Sequence, residues 1–279
     1  MNNVLVFTGL VWLGSFMAGL LGALTGLGGG VVIVPMLVLA FGADIKYAIG
    51  ASLVSVIATS SGSAAAYVRE GYSNIRIGML LEIATTVGAL AGAFLALVVW
   101  PNVIAVIFGA VLIISAYLSS RPRRDSRMAD QPDPLAVRLK LDGSYPTAKG
   151  MESYHVRRVP AGFGLMFVAG VLSGLLGIGS GALKVLALDQ AMRLPFKVST
   201  TTSNFMIGVT AAASAGVYLA RGYIDPGLAM PVLLGVLPGS LLGARILTHA
   251  PVRTLRIVFA LVITALAIQM IYNGAMGKI

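Results

Sequence analysis

The chain has no cysteine, and it has only two histidines among its 279 residues. The missing cysteines exclude a disulfide scaffold, a thiolate metal site and a cysteine nucleophile. A histidine-based metal site is not expected either, because few acidic residues lie near the two histidines. The sequence therefore predicts no bound metal and no other cofactor.

Charge is equally scarce, since 11% of the residues are charged and 57% are hydrophobic. The mean hydropathy is +0.91, whereas an ordinary soluble domain carries about 25% charged residues. So few charges cannot cover the surface of a soluble enzyme, and an integral protein of the lipid bilayer is predicted. The net charge of +10 lies mainly between the apolar stretches. That placement indicates orientation in a membrane rather than binding of nucleic acid.

Long apolar stretches recur along the chain, and a helix needs about 20 such residues to cross a bilayer. Two shorter stretches, residues 31–41 and 182–192, each follow a cluster of glycines. The first long stretch lacks the basic start of a signal peptide and is interpreted as a retained span. The eight long stretches are residues 4–24, 49–68, 77–99, 103–118, 161–176, 198–219, 227–247 and 255–272.

The middle of the chain, residues 119–160, holds 14 of the 30 charged residues. Its early part is expected to be disordered, and its later part predicts a small hairpin that turns around Asp142-Gly143. It separates two halves that match at a constant offset of 151 residues. The matches include Gly26 with Gly177, Gly30 with Gly181, Lys46 with Lys197, Ser52 with Ser203, Gly88 with Gly239 and Gly92 with Gly243. The predicted organisation is a first transmembrane repeat (1–118), a charged loop (119–160) and a second repeat (161–279).

Duplicated halves are typical of secondary transporters. If each short stretch connects opposite membrane faces, each half has five segments and the second half is inverted. That arrangement places 16 of the 20 lysines and arginines on one face, which predicts a cytoplasmic loop and external termini. The alternative is that the short stretches re-enter the membrane. The halves would then be parallel, with a cation split of about 13 to 6.

The glycine clusters are the first candidate site. Glycine this dense breaks a helix, and irregular backbone at membrane depth survives only where protein or water satisfies it. Each break opens a short helix, whose free N–H groups attract anions; close helix packing is the competing interpretation. The candidate binding residues are Gly26, Gly28, Gly29 and Gly30 in the first copy and Gly177, Gly179, Ser180 and Gly181 in the second.

Polar residues inside the long stretches are the second candidate. Ser52 in the first half and Thr202, Ser203 and Asn204 in the second can donate to anionic oxygens, although such hydroxyls often bond only to their own helix. Lys184 is the one cation well within an apolar stretch, and such a charge is a functional hypothesis by default. The competing interpretations are that Lys184 reaches toward the cytoplasm or pairs with Asp189.

Glu82 is the one carboxylate in its span, and Leu233 stands at the matching position of the second half. A proton relay is one interpretation. The preferred one is that Arg69 or Arg76 holds Glu82 near the interface. Transport would then need no coupled ion, because the inside-negative potential alone drives an anion outward.

These residues resemble the TauE/SafE family, bacterial inner-membrane permeases associated with export of sulfite and organosulfonates. The resemblance rests on Gly-Leu-Gly-Gly-Gly at 26–30, Gly-Ile-Gly-Ser-Gly-Ala-Leu-Lys at 177–184 and the run from Thr202 to Ala212. It covers nearly the whole chain except the central loop. Two positions depart from the family pattern: Ser180 replaces a glycine, and Leu186 follows Lys184-Val185 where a proline is expected.

The expected protein is an all-α polytopic transporter that exports a small anion, with sulfite or a short sulfonate such as sulfoacetate implied by the resemblance. An anion channel is one alternative. A membrane-embedded hydrolase with a Ser–Lys pair is another, although neither histidine is placed to activate a buried serine. Partners beyond the anion and the bilayer are not predicted, and a homodimer stays open.

Overall fold

The computed structural model describes residues 2–25, 29–69, 73–120, 133–147, 150–179, 181–247 and 252–279. The protein is a bundle of α-helices with one small hairpin near the middle of the chain. The first-half helices are α1 (Asn2–Thr25), α2 (Gly30–Phe41), α3 (Ile45–Arg69), α4 (Ile75–Val98) and α5 (Pro101–Ser120). The short α6 (Pro134–Arg138) precedes strands β1 (Gly143–Thr147) and β2 (Gly150–Tyr154). The second half contains α7 (Val159–Leu176), α8 (Gly181–Leu186), a π-helical segment (Ala187–Ala191), α9 (Phe196–Ala220), α10 (Pro226–Leu247) and α11 (Val252–Ala275).

The predicted all-α polytopic architecture agrees with these helices. Within the described residues, five helices contain an apolar window long enough to cross a membrane: Leu5–Gly22, Ile75–Val98, Val159–Leu176, Lys197–Ala220 and Pro226–Gly243. Four further apolar segments are shorter: Gly30–Phe41, Ile45–Ser61, Pro101–Tyr117 and Ala260–Ala275. Large apolar side chains of α4 point away from the bundle at Met79, Ile83, Val87 and Phe94. The first three are four residues apart and Phe94 follows seven residues later, so they form an exposed apolar stripe on one helix face, as expected for a surface that contacts lipid.

The helix boundaries follow the same offset of 151 residues as the sequence. Helices α2 and α8 begin at Gly30 and Gly181, and α3 and α9 cover 45–69 and 196–220. The caps also correspond, because Asn74 accepts a hydrogen bond from the backbone N–H of Ile77 at the start of α4, and Asp225 accepts one from Gly227 at the start of α10. Equivalent polar residues therefore begin equivalent helices.

Two parallel helix pairs join the halves through glycines. In α4, a Cβ on Gly88 would overlap the carbonyl of Phe167, and one on Gly92 would overlap that of Val171. Because both contacts advance along α4 and α7 together, these helices run parallel. Helices α1 and α10 run parallel for the same reason, since Gly235 approaches Trp12 and Gly239 approaches Phe16. Gly88, Gly92, Gly235 and Gly239 thus serve close helix packing.

Equivalent helices pack antiparallel. Gly50 near the start of α3 approaches Tyr223 just after α9, while Gly208 in the middle of α9 approaches Ser60 further along α3. In the other pair, Gly109 of α5 approaches Ala267, and Gly274 near the end of α11 approaches Asn102 at the start of α5. The direction of α3 is therefore opposite to that of α9, and α5 is opposite to α11.

Each short helical segment returns to the end of the bundle where the preceding long helix began. Gly29 lies against Gly19, the Met36 side chain lies where a Cβ of Gly14 would be, and the Phe41 ring packs on Phe7 with centroids 5.6 Å apart. Helix α2 thus runs back along α1. In the second half, the Arg157 backbone N–H donates to the carbonyl of Met192, so the π-helical segment ends beside the start of α7.

The predicted hairpin is present, but its turn is not at Asp142-Gly143. Gly143 pairs with Tyr154 and Thr147 pairs with Gly150, so the chain reverses between Thr147 and Gly150. Gly150 has φ +117°, a conformation open to glycine. Asp142 instead holds the open end of the hairpin, where one carboxylate oxygen accepts from the Val156 backbone N–H at 2.8 Å. Disorder was expected over residues 119–134, of which 121–132 lie outside the described residues. At its two ends the structure differs from that expectation, because residues 119–120 complete α5 and Pro134 begins α6.

The hairpin packs on one end of the bundle. The Asn74 side chain donates to the Leu141 carbonyl at 2.9 Å and to the Tyr154 hydroxyl at 2.7 Å. Leu141, Tyr154 and Val156 are buried in one apolar cluster with Ile77 of α4. We call this end, with the starts of α4, α7 and α9, the hairpin end, and the other the distal end.

Candidate functional site

Lys184 is fully buried, with 0% of its surface exposed. Its ammonium group donates to the Thr210 hydroxyl at 2.6 Å and to the Met206 carbonyl at 3.3 Å. Both partners belong to α9, so the side chain neither extends to the surface nor turns toward Asp189 for these bonds. The two competing interpretations of Lys184 from the sequence are therefore wrong.

Glu82 lies on the other side of the same hydroxyl. One of its carboxylate oxygens, Oε1, accepts from Thr210 at 2.7 Å and from Thr86 at 3.1 Å. The other oxygen, Oε2, is buried and has no hydrogen-bond partner among the described residues. Glu82 is 8% exposed.

The expectation that Arg76 holds Glu82 near the interface is wrong. The Arg76 guanidinium donates to the Lys140 carbonyl at the hairpin end. The side chain of Arg69 lies outside the described residues. The carboxylate is placed by packing between α4 and α9, because the α4 face that carries Gly78 and Glu82 is buried against α9.

Lys184, Thr210, Glu82 and Thr86 together form what we call the Lys–Glu cluster. The two hydrogen bonds through Thr210 place the lysine nitrogen and Oε1 no more than about 5.3 Å apart. Opposite charges at this distance attract by about 3 kcal/mol at an effective dielectric constant of 20. Thr210 lies about 21 Å along α9, near its middle, so the cluster lies deep in the bundle.

The predicted hydroxyls tie glycine segments to long helices. Ser52 of α3 donates to the Gly177 carbonyl at 2.8 Å, and Ser203 of α9 donates to the Gly181 carbonyl at 3.3 Å. Thr202 accepts from the Asn74 backbone N–H at 3.0 Å. All three threonine and serine side chains are fully buried.

Asn204 is only half-buried, and it lies about 100° around α9 from Ser203. Ser203 is bonded to the carbonyl of Gly181, the first residue of α8 and three residues before Lys184. Asn204 occupies a different face of α9.

The two glycine breaks meet beside Ser52. A Cβ on Gly30 would lie 2.7 Å from the Ser52 hydroxyl and 3.1 Å from the Gly177 carbonyl, so only glycine lets the start of α2 approach this closely. Gly177 and Gly179 have φ of +67° and +70°, which also favour glycine. Gly29 lies at the turn before α2 and accepts from Val32 and Ile33. Three of the predicted site residues, Gly26, Gly28 and Ser180, lie outside the described residues.

The second glycine break leads directly to the Lys–Glu cluster. Helix α8 begins at Gly181 and reaches Lys184 within one turn, and it continues as the π-helical segment, a form that often occurs at functional sites. Because α8 has only six residues, the cationic group at this place is the lysine itself rather than the helix start.

The cluster exists once in the duplicated fold. At the offset of 151 residues, Ile33 corresponds to Lys184 and Leu233 corresponds to Glu82, whereas Thr59 corresponds to Thr210. The three counterparts, Ile33, Thr59 and Leu233, therefore keep the hydroxyl and lack both charges. Sequence reasoning singled out Lys184 but left Glu82 and Thr210 out of the site. The signal for Glu82 was a charge that stands alone in an apolar span, whereas Thr210 is uncharged and is one of several hydroxyls in its span.

Comparison with known proteins gives one family and several relatives. The family model described as sulfite exporter TauE/SafE matches residues 11–270. "Probable membrane transporter protein YunE" of Bacillus subtilis is 30% identical over 278 residues, which cover 97% of each chain. "Probable membrane transporter protein YdhB" of the same organism is 28% identical over 244 residues, 87% of this chain and 91% of the relative.

A further relative comes from Xylella fastidiosa (strain 9a5c). It is named "Probable membrane transporter protein" and is 26% identical over 276 residues, 98% of this chain and 97% of its own. No solved structure matches the chain at a comparable level of significance.

Proposed function

Because this chain belongs to the TauE/SafE family, we propose that it is a secondary transporter that exports a small sulfur oxyanion across the bacterial inner membrane. The cargo class is sulfite or a short organosulfonate such as sulfoacetate. The family match and the similarity to proteins named as membrane transporters support transport across a membrane. The family description supports a sulfur oxyanion as cargo.

The buried ammonium group of Lys184 is the observation that carries this proposal. A cation in the interior of a membrane protein is costly unless it is paired or functional. Lys184 follows Gly181 by three residues, the Gly181 carbonyl accepts from the Ser203 hydroxyl, and the lysine nitrogen lies beside the Thr210 hydroxyl. Ammonium and hydroxyl groups are the donors that a sulfite or sulfonate oxygen accepts from, and the charged donor gives the stronger bond.

We infer that the two halves are inverted repeats of five segments. Equivalent helices that pack antiparallel, as α3 with α9 and α5 with α11 do, support a two-fold axis perpendicular to the helices. The return of α2 to the start of α1 supports short segments that connect opposite faces. In an inverted arrangement the hairpin end holds most lysines and arginines, so the hairpin is cytoplasmic and both termini are outside.

The geometry favours transport over the hydrolase alternative. Among the residues that the structure describes, the hydroxyl bonded to Lys184 is that of Thr210, and the Ser203 hydroxyl is bonded to a backbone carbonyl. A Ser–Lys pair requires the serine to lie within hydrogen-bond reach of the amine.

A carrier and a channel differ in unitary current, which a planar bilayer recording measures.

Flux into proteoliposomes tests the proposal. Purified protein is reconstituted, and sulfite, sulfoacetate, methanesulfonate, sulfate and chloride are compared. We expect sulfite or a sulfonate to move fastest. Lys184→Met should abolish that flux, and Lys197→Met, which removes an exposed cation at the start of α9, should leave it unchanged.

A double variant provides a further control. Lys184→Met leaves the Glu82 charge without its counter-charge, so the double variant Lys184→Met with Glu82→Gln keeps the cluster neutral and tests transport in a folded protein. Wild-type flux in both variants would remove Lys184 from the site. Equal flux of all anions, or none, would contradict the proposed cargo.

A further inference from the structure

We propose that Glu82 is a proton-binding site linked to the anion site, so that each anion bound at Lys184 is accompanied by one proton. This inference rests on the proposed function, because it takes Lys184 as the group that binds the anion. It concerns a second ligand and a residue that the anion itself need not touch. The experiments that test the proton site can therefore fail while the anion site stands.

The charge balance of the Lys–Glu cluster leads to this linkage. Without an anion, the Glu82 carboxylate balances the Lys184 ammonium through Thr210. Binding of an anion to the same ammonium leaves a net negative charge in a buried place, which is unfavourable. A proton on Glu82 restores neutrality. The balanced step is carboxylate plus proton plus free anion giving carboxylic acid and a lysine-bound anion, with no bond of the anion broken.

The unpartnered oxygen of Glu82 provides the place for the proton. Oε1 already accepts from Thr210 and Thr86, whereas Oε2 is buried without a partner. A buried acceptor without a donor is rare in native proteins. Protonation at Oε2 turns that oxygen into a donor, which can then bond to an anion oxygen or to a nearby carbonyl.

The charged groups around Glu82 make Lys184 its counter-charge. Helix α7, which packs on α4, has no titratable side chain between residues 159 and 176. On α9, Lys197 and Arg221 stand at the two ends of the helix. On α4 itself, Arg76 is bonded at the hairpin end. Asp189 of the π-helical segment is the second acid of this region and is 9% exposed.

The linkage also restricts the cargo. A monoanion that moves with one proton carries no net charge, so the membrane potential cannot drive its export. A dianion that moves with one proton carries one net negative charge, and 100 mV favours its outward movement by about fiftyfold. Potential-driven export through this site therefore requires a divalent anion. This replaces the expectation that a monoanion leaves without a coupled ion.

Calorimetry with an anion that does not itself titrate tests the linkage. Methanesulfonate and ethane-1,2-disulfonate are titrated into purified protein near neutral pH in two buffers with different heats of ionisation. We expect uptake of about one proton per bound anion. Affinity should also rise as the pH falls, because binding and protonation are reciprocal. The proton count of the wild-type protein needs no variant, and a count of zero would overturn the proposal.

Variants assign the proton to its residue. Glu82→Gln should bind the same anions without proton uptake and without dependence on pH, and Asp189→Asn should behave as the wild type. Proton uptake that persists in Glu82→Gln, or that is lost in Asp189→Asn, would contradict the assignment. If the wild-type protein binds anions without protons and Lys184→Met does not bind them, the anion site stands and the linkage fails. If no sulfonate binds to the wild-type protein, both fail.

Flux under an imposed potential provides an independent measurement. In wild-type proteoliposomes, methanesulfonate flux should not respond to the potential, whereas disulfonate flux should follow it. In Glu82→Gln vesicles, methanesulfonate flux should become potential-driven. A wild-type methanesulfonate flux that already follows the potential would show transport without a proton and refute the linkage.

Discussion

Replacing Thr210 with valine removes one hydroxyl from the Lys–Glu cluster and keeps the size of the side chain. Hydrogen bonds to charged groups each contribute about 1.5–3 kcal/mol. Lys184 keeps its bond to the Met206 carbonyl, and Glu82 keeps its bond from Thr86. The free energy of unfolding should therefore fall by about 2–4 kcal/mol, which is less than the cost of leaving both buried charges without partners.

Thermal unfolding in detergent measures this loss. A change of 1 kcal/mol lowers Tm by about 2–4 °C in a protein of this size, so Thr210→Val should lower Tm by roughly 4–16 °C. Thr264→Val is the matched control, because the Thr264 hydroxyl donates to the Ala260 carbonyl of its own helix. Thr210→Ser should recover most of the stability. An equal Tm for the two valine variants would refute the role of the hydroxyl as the link between the two charges.

Three further predictions concern packing, pH and orientation. Gly92→Leu should lower the free energy of unfolding by about 3 kcal/mol or more, because a Cβ at this position would overlap the Val171 carbonyl. The variant should lose its monodisperse peak in size-exclusion chromatography. Gly164→Leu should keep that peak, because a Cβ at Gly164 would lie in open space. Burial raises the pKa of Tyr154 above its ordinary value of 10.0, so the folded protein keeps this proton to a higher pH than the unfolded chain does. The free energy of unfolding should therefore fall as the pH rises above about 10. In unfolding measurements between about pH 9 and 11, Tyr154→Phe should show a smaller decrease. A cysteine at Ser126 should resist an impermeant maleimide in intact cells and react after permeabilisation, whereas labelling of intact cells would contradict a cytoplasmic loop.

The helices and their duplication were predictable because hydropathy and glycine are local properties of the sequence. Helix α8 begins at Gly181, at the end of a predicted glycine motif, and α3 and α9 have the same length because the two copies share one pattern. Lys184 was found for a similar reason, since a charge in an apolar stretch is conspicuous by itself.

The contact between Lys184 and Glu82 was not predictable, because it depends on which helix faces meet. Helix α4 is apolar around most of its circumference, so its pattern does not show that Glu82 faces α9 rather than the interface. The predicted position of the hairpin turn was wrong for a related reason. Asp142-Gly143 has the residues of a turn, but the Asp142 carboxylate is used by the Val156 backbone N–H, and the reversal occurs next to Gly150.

The unequal chemistry of the two equivalent positions has an energetic consequence. In an inverted repeat, the conformations open to either side of the membrane are obtained by exchanging the shapes of the two halves. Two identical halves would make these conformations degenerate. Ile33 is the counterpart of Lys184, and Leu233 is the counterpart of Glu82. Exchanging the shapes of the halves therefore places two aliphatic side chains where the other conformation has a charged pair. In the inverted arrangement proposed above, the degeneracy is therefore lifted, and we expect the empty protein to favour one side of the membrane, with the size of that bias set by the environment of four side chains.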